Sequence, residues 1–111
     1  MTKIDVVQND QLYNLNFSLQ DANGLALDLS NIGTATVVRF KAQDSRTGIV
    51  VANSVMSIID ASLGTCYYQV ASGVFTAIGR CIAEIEVTYG NGKIISLPDI
   101  VINVKTELPV S

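Results

Sequence analysis

The chain has 111 residues, of which 49% are apolar and 15% charged, and its formal net charge is −3. This length fits one domain with its own core, and the apolar content excludes a disordered chain. The 7 basic residues are scattered, which argues against nucleic-acid binding, because phosphate contacts need clustered Lys and Arg.

Short strands separated by turn residues are predicted along the first half of the chain. Residues 3–8 form a first strand, and residues 13–20 alternate cleanly between apolar and polar. A turn at 21–24 precedes a third short strand at 25–29, in which every second residue is Leu. A fourth strand is predicted at 37–42, where Val38, Phe40 and Ala42 share one face.

The second half of the chain is also predicted to form short strands separated by turns. Residues 49–52 are predicted to pair back on the fourth strand as a hairpin. Further strands are expected at 55–59 and 65–70, and residues 71–78 fit a loop or one helical turn. The last strand runs through Ile100, Ile102 and Val104, and Glu107-Leu108-Pro109 ends the domain, because Pro cannot continue a ladder.

The clearest strand signal lies between residues 81 and 89. The odd positions there are all apolar, and three of the four positions between them are polar. One face of the strand is therefore predicted to be buried and the other to be exposed to solvent. Asn91-Gly92 follows and predicts a tight type I′ turn, because both residue types tolerate positive φ. This segment is therefore interpreted as an antiparallel hairpin on a one-sided sheet.

About eight short strands at intervals of roughly 8–12 residues predict an all-β fold, with an antiparallel β-sandwich favoured over a barrel because the strands are unequal in length. We predict a single domain over residues 1–111, with a core at about 4–105 and a short tail at 106–111. The predicted core residues are Leu15, Phe17, Leu19, Phe40, Tyr68, Ala83, Ile85, Val87, Ile102 and Val104.

The sequence offers little for catalysis. It contains no His, which removes the commonest general base and most zinc sites, and no metal or cofactor is expected. Cys66 and Cys81 are interpreted as two buried thiols, with a disulfide between facing strands as the alternative. Glu84 and Glu86 share a face two residues apart and are interpreted as a solvated strand face. The chain is not expected to be an enzyme.

Five residues are candidates for an interface. Tyr67 lies on the polar phase of its strand and Phe75 lies in the uncertain loop, and exposed aromatics stack on sugars or anchor partners. Ile82, Ile94 and Val101 lie out of phase with the core face of their strands, which indicates a second apolar surface used in assembly. The competing interpretation of the two aromatics is packing under a loop.

The order of several short motifs resembles a known family. They run from Leu19-Gln20-Asp21-Ala22-Asn23-Gly24 through Val38-Arg39-Phe40-Lys41 and Gly64-Thr65-Cys66-Tyr67-Tyr68 to Tyr89-Gly90-Asn91-Gly92-Lys93 and Leu97-Pro98. Together they resemble the N-terminal domain of the bacteriophage baseplate upper protein family, over roughly residues 4–105. The family often has an aromatic where this chain has Cys81.

The resemblance implies an immunoglobulin-like β-sandwich that serves as a structural and interaction module of a phage virion, in the tail, baseplate or head decoration. Its implied partners are other virion proteins, and no catalytic residues are implied. The out-of-phase apolar residues separately predict self-association into a homo-oligomer. No apolar run has signal-peptide or membrane-spanning length, so we expect synthesis in the host cytoplasm and no membrane partner. The alternative function is a carbohydrate-binding module that aids adhesion to the host cell wall.

Overall fold

A computed structural model of the chain describes residues 2–31 and 34–106. Eight β-strands run through these residues, and the described part of the chain contains no helix. The strands are β1 (Thr2–Val7), β2 (Asn14–Ser18), β3 (Val37–Asp44), β4 (Val50–Val55), β5 (Ser57–Asp60), β6 (Thr65–Gln69), β7 (Gly79–Thr88) and β8 (Ile94–Lys105). The predicted domain end at residues 107–109 lies outside the described residues.

The strands form two sheets that face each other. One sheet has five strands in the order β1-β8-β7-β3-β4, and the other has three in the order β2-β6-β5. The chain crosses between the sheets at Met56, where β4 ends and β5 begins. Consequently β4 and β5 lie along one side of the sandwich, and β1 and β2 lie along the other. The predicted all-β sandwich is confirmed, except that β1 pairs with β8 in parallel.

The core fills the space between the two sheets. All ten residues predicted for it are buried. Phe40 of β3 lies flat against Tyr68 of β6, with ring centroids 4.5 Å apart, and Phe17 of β2 approaches Phe40 at 6.0 Å. These contacts join the two sheets, because Phe40 belongs to the larger sheet and its partners to the smaller. Cys66 and Cys81 are both buried and form no disulfide, as the interpretation of two buried thiols predicts.

The segment predicted as a third strand at 25–29 is irregular. It makes one isolated bridge, between Gln20 and Ala26, and none of it belongs to a strand. Leu27 and Leu29 are buried in the core, whereas Leu25 is exposed, so the alternation of leucines reports burial without a ladder. The Tyr89 hydroxyl donates a hydrogen bond of 2.7 Å to the Asp28 carbonyl oxygen and fixes this segment to the end of β7.

The turn between β7 and β8 also differs from the prediction. Gly92 has φ of 90°, but Asn91 is not in the left-handed region, so the turn is not type I′. The Gly92 N–H donates to the Tyr89 carbonyl at 2.9 Å, and the Tyr89 N–H donates to the Lys93 carbonyl at 2.8 Å. This is a three-residue loop, a tight turn followed by a left-handed Gly, which needs positive φ at one position instead of two.

Candidate docking surfaces

The outer face of the five-stranded sheet, which points away from the smaller sheet, carries two of the predicted interface residues side by side. Ile82 of β7 pairs directly with Val101 of β8. Ile82 is 46% exposed and Val101 is partly buried. Each of these positions lies between buried neighbours along its strand, so their side chains point outward. The structure therefore places Ile82 and Val101 in one apolar row on the outer face.

A β-bulge explains why Ile94 and Val101 share this face although they differ in sequence parity. Pro98 and Asp99 of β8 lie opposite a single residue of β7, Glu84. Asp99 adopts φ of 69°, which accommodates the extra residue. The inward positions of β8 consequently switch from odd numbers to even numbers at the bulge. Proline is compatible with a central strand here because a bulge interrupts the ladder.

The remaining three predicted interface residues lie apart from this pair, although Ile94 is on the same face. Ile94 is exposed but pairs with Thr88, six residues along β7 from Ile82, which is roughly 20 Å at about 3.4 Å per residue. Tyr67 is partly buried on the outer face of the three-stranded sheet. Phe75 is 2% exposed and belongs to the core, so its prediction as an exposed aromatic is wrong. The loop at 71–78 packs inward through Phe75.

A groove of about 390 Å³ lies on the outer face beside the bulge. Its polar side chains come from three strands and from the bulge, and its apolar side chains flank them. The lining consists of Lys41, Ala42, Gln43, Val50, Asn53, Ile82, Ala83, Glu84, Pro98 and Asp99. The groove is open to solvent and mixes both signs of charge.

The outer face carries an ion pair and a hydrogen bond between a charged and a neutral side chain. The Lys41 ammonium donates to the Glu86 carboxylate at 2.9 Å, and both side chains are about one-third exposed or less. Arg39 donates to the Asn53 side-chain oxygen at 3.1 Å. Such pairs add little stability at a surface. The charged neighbours of Ile82 and Val101 on this face are Arg80, Glu84 and Lys3, which form no ion pair among the described residues, so Ile82 and Val101 lie within a charged surround.

The buried thiols are poor candidates for chemistry. Burial raises the pKa of Cys66 to about 11, and burial also raises the pKa of Cys81, with a smaller contribution from the nearby Asp44 carboxylate. Both thiols therefore stay protonated at neutral pH and lack nucleophilic character. Within residues 2–31 and 34–106, no cluster of three or more acidic, Cys or His side chains suits a metal ion.

A second exposed apolar area escaped the sequence interpretation. The strands β4 and β5, with the turns that flank them, expose a row of aliphatic side chains along one side of the sandwich. These are Ile49, Val50, Val55, Ile59 and Leu63. These side chains are exposed because β4 and β5 are edge strands of their sheets. Which strands lie at an edge depends on the order of strand pairing, and local alternation does not predict that order. The near absence of charge between residues 49 and 63 was the available signal.

The described residues form a small β-sandwich, a fold that does not by itself define a function. No helix capable of crossing a membrane occurs among the residues that the structure describes. Among solved structures, the chain is similar to CopC from Methylosinus trichosporium OB3b, with a TM-score of 0.56 and 15% identity, covering 100% of this chain and 91% of the CopC chain. At this identity the likeness concerns the fold alone. No curated protein matches the sequence.

The sequence matches the family described as the BppU N-terminal domain over residues 2–111. This match spans nearly all of the chain, and the chain belongs to that family. BppU denotes the baseplate upper protein, and the family is one of structural domains of bacteriophage baseplates. The resemblance inferred from the motif order is therefore confirmed, and the protein is a virion component of this class.

Proposed function

We propose that this domain mediates protein–protein assembly in the phage particle by docking the outer face of its five-stranded sheet on a neighbouring virion protein. The observation that carries the proposal is the adjacent pair Ile82 and Val101, exposed beside a groove on a domain of a baseplate family. Buried apolar area drives such docking, and aliphatic anchors in a polar surround resemble the centre of an interface with its rim.

The groove supplies a second element of the proposed contact. Pro98 and Ile82 form apolar parts of its wall, while Lys41 and Glu84 bring one charge of each sign to its lining. A partner side chain that enters the groove displaces water from apolar surface and meets fixed hydrogen-bonding groups. The proposal therefore combines an apolar row with an adjacent pocket for an anchor residue, the usual arrangement of an interface hot spot.

The carbohydrate-binding alternative loses much of its support. It required exposed aromatics for stacking on sugar rings, and Phe75 is buried in the core. Tyr67 remains, partly buried on the outer face of the smaller sheet and separate from the groove. Because no observation favours sugar binding over protein docking, we retain assembly as the proposed function.

The proposal is tested by capturing virion proteins with the purified chain and with an Ile82→Lys variant. Lysine at this exposed site places a charge in the proposed contact without entering the core. We expect the parent chain to retain a virion protein and the variant to lose it, while both unfold at the same temperature. A matched control is Leu25→Lys, because Leu25 is also exposed but lies outside the sheets.

Salt dependence provides an independent check on the physical basis. Contacts driven by apolar burial persist or strengthen as salt rises, whereas contacts steered by charge weaken. We expect capture to survive a rise from low to molar salt. Equal capture by the parent chain and by Ile82→Lys contradicts docking through this face, and so does loss of capture at high salt.

A further inference from the structure

The side of the sandwich formed by β4, β5 and their flanking turns has an unusual composition. We call residues 49–63 the β4–β5 flank. It contains a single charged residue, Asp60, and exposes five aliphatic side chains. Two of these, Val55 at 59% and Ile59 at 60% exposure, lie on either side of the crossover between the two sheets. Exposed aliphatic side chains therefore occur along the edges of both sheets.

The one charge of the flank is engaged in its own turn. The Asp60 carboxylate accepts hydrogen bonds from the Ser62 hydroxyl at 2.8 Å and from the Ser62 N–H at 3.1 Å, with a longer one from the Leu63 N–H. These bonds hold the turn between β5 and β6. Asp60 therefore serves local structure and does little to guard the edge strands against pairing.

The opposite side of the sandwich is guarded in the ordinary way. The edge strand β1 carries Lys3 and Asp5. Asp5 forms an ion pair of 3.3 Å with Lys105 of β8 and accepts a bond from Asn103. Charges on an edge strand discourage the addition of another strand, because pairing would desolvate them. The fold thus protects the β1 edge and leaves the β4 edge without charge.

The backbone of β4 is open to pairing on its outer side. The Met56 N–H donates to the Val38 carbonyl at 2.7 Å, directly after β4. Hydrogen-bonded positions alternate along an antiparallel pair, so Ser54 and Ala52 direct their N–H and C=O groups toward β3. Asn53 and Val55 consequently direct theirs away from the sheet. Among the described residues, β4 has no second neighbour that satisfies these groups.

We propose that β4 pairs antiparallel with β4 of a second copy of this chain, joining two five-stranded sheets into one. Free backbone donors and acceptors in an extended strand recognise another extended strand. A two-fold interface brings a surface against itself, and β4 itself carries no charged residue, so two copies of this strand meet no like-charge repulsion of their own. The exposed aliphatic side chains of β4, Val50 and Val55, then pack against the second copy across the new seam. The inference rests on the proposed assembly function and adds a second contact, the backbone edge of β4, next to the groove that Val50 and Asn53 line on the outer face.

The test is sedimentation equilibrium of the full chain over a range of concentrations, with two variants that act in different ways. Val55→Lys places a charge on the flank, and Asn53→Pro removes an outward N–H that the sheet itself does not use. We expect the parent chain to dimerise and both variants to raise the dimer dissociation constant about tenfold or more, which corresponds to about 1.4 kcal/mol. Leu25→Lys is the control and should dimerise like the parent.

Thermal unfolding of each variant separates loss of pairing from loss of fold. If Asn53→Pro unfolds, Val55→Lys still decides the question, because its side chain is exposed. A parent chain that is monomeric at every concentration overturns the inference. So does a dimer that both variants leave intact, or one that only Ile82→Lys disrupts, since that dimer uses the outer face. A monomeric parent that captures another virion protein through Val55 also overturns it, but leaves the assembly function standing.

Discussion

The Phe40 ring lies parallel to the Tyr68 ring, with centroids 4.5 Å apart and an angle of 12° between their planes. Phe40 belongs to β3 in the middle of the larger sheet, and Tyr68 belongs to β6 in the middle of the smaller one. This contact therefore joins the centres of the two layers. The outer face and the β4–β5 flank are both positioned by β3, so the stability of this packing determines whether either surface exists.

Replacing Phe40 with Ala should lower the free energy of unfolding by about 3–5 kcal/mol, because it removes a fully buried ring and leaves a cavity between the sheets. Urea denaturation followed by tyrosine fluorescence measures the change. Ile94→Ala is the control and should cost much less, since Ile94 is exposed. An unchanged midpoint for the Phe40 variant would show that the inter-sheet packing is not as described.

Gly64 occupies the most constrained position of any described glycine. Its φ is 67°, and an added Cβ would lie 2.5 Å from the Leu27 carbonyl oxygen and 2.8 Å from that of Leu19. Both neighbours are backbone atoms and cannot rotate away. Gly64→Ala should therefore cost about 2–4 kcal/mol from the combined strain and overlap.

Gly48 provides the matched control for that substitution. Its φ is 73°, but an added Cβ would meet no atom within 4 Å. Gly48→Ala should therefore cost only the backbone strain, about 1 kcal/mol. Equal losses for the two variants, measured by chemical denaturation, would contradict the close approach of Gly64 to the backbone of the irregular segment.

The loop between β7 and β8 makes a prediction that depends on residue shape. Gly92 has φ of 90°, where a β-branched side chain is strongly disfavoured and Asn is tolerated. Gly92→Val should cost about 1–3 kcal/mol, and Gly92→Asn should cost clearly less. The melting temperatures of the two variants test this prediction. A valine variant as stable as the asparagine variant would exclude this turn geometry.

The buried Cys66 thiol makes stability depend on alkaline pH. Burial raises its pKa from 9.0 to about 11, so between these values the unfolded chain loses the proton and the folded chain keeps it. Stability is fully present below pH 9 and should fall as the pH rises from 9 to 11. A Cys66→Ala variant should show a shallower decline in the same titration. Identical slopes would mean that Cys66 is not protected by the fold.

Strict alternation made much of the core predictable. Residues such as Phe17, Phe40 and Ile85 lie in strands of period two, and their burial follows from that pattern alone. The alternation of leucines at residues 25–29 predicted a strand that does not form. Leu27 and Leu29 are buried, but they belong to an irregular segment whose backbone forms only some of the hydrogen bonds of a ladder. Hydrophobic period reports which side chains are buried and does not reveal whether a ladder forms.

The surfaces were only partly predictable, for a related physical reason. The pairing of Ile82 with Val101 requires the register of β7 and β8, and the bulge at Pro98 and Asp99 that sets that register leaves a weak trace in sequence. Phe75 reaches the core from a loop, and a loop has no regular alternation of side chains from which its burial could be predicted. The exposure of Val55 depends on β4 being an edge strand, which is a property of the whole sheet order.

Docking of this domain in the phage particle through the outer face of its five-stranded sheet is tested most directly by a cryo-electron microscopy map of the intact virion, with the sandwich fitted by its two sheets. We expect density for the domain in the baseplate, with Ile82 and Val101 covered by a neighbouring protein. A particle that lacks the domain, or one in which this face is exposed to solvent, would contradict it.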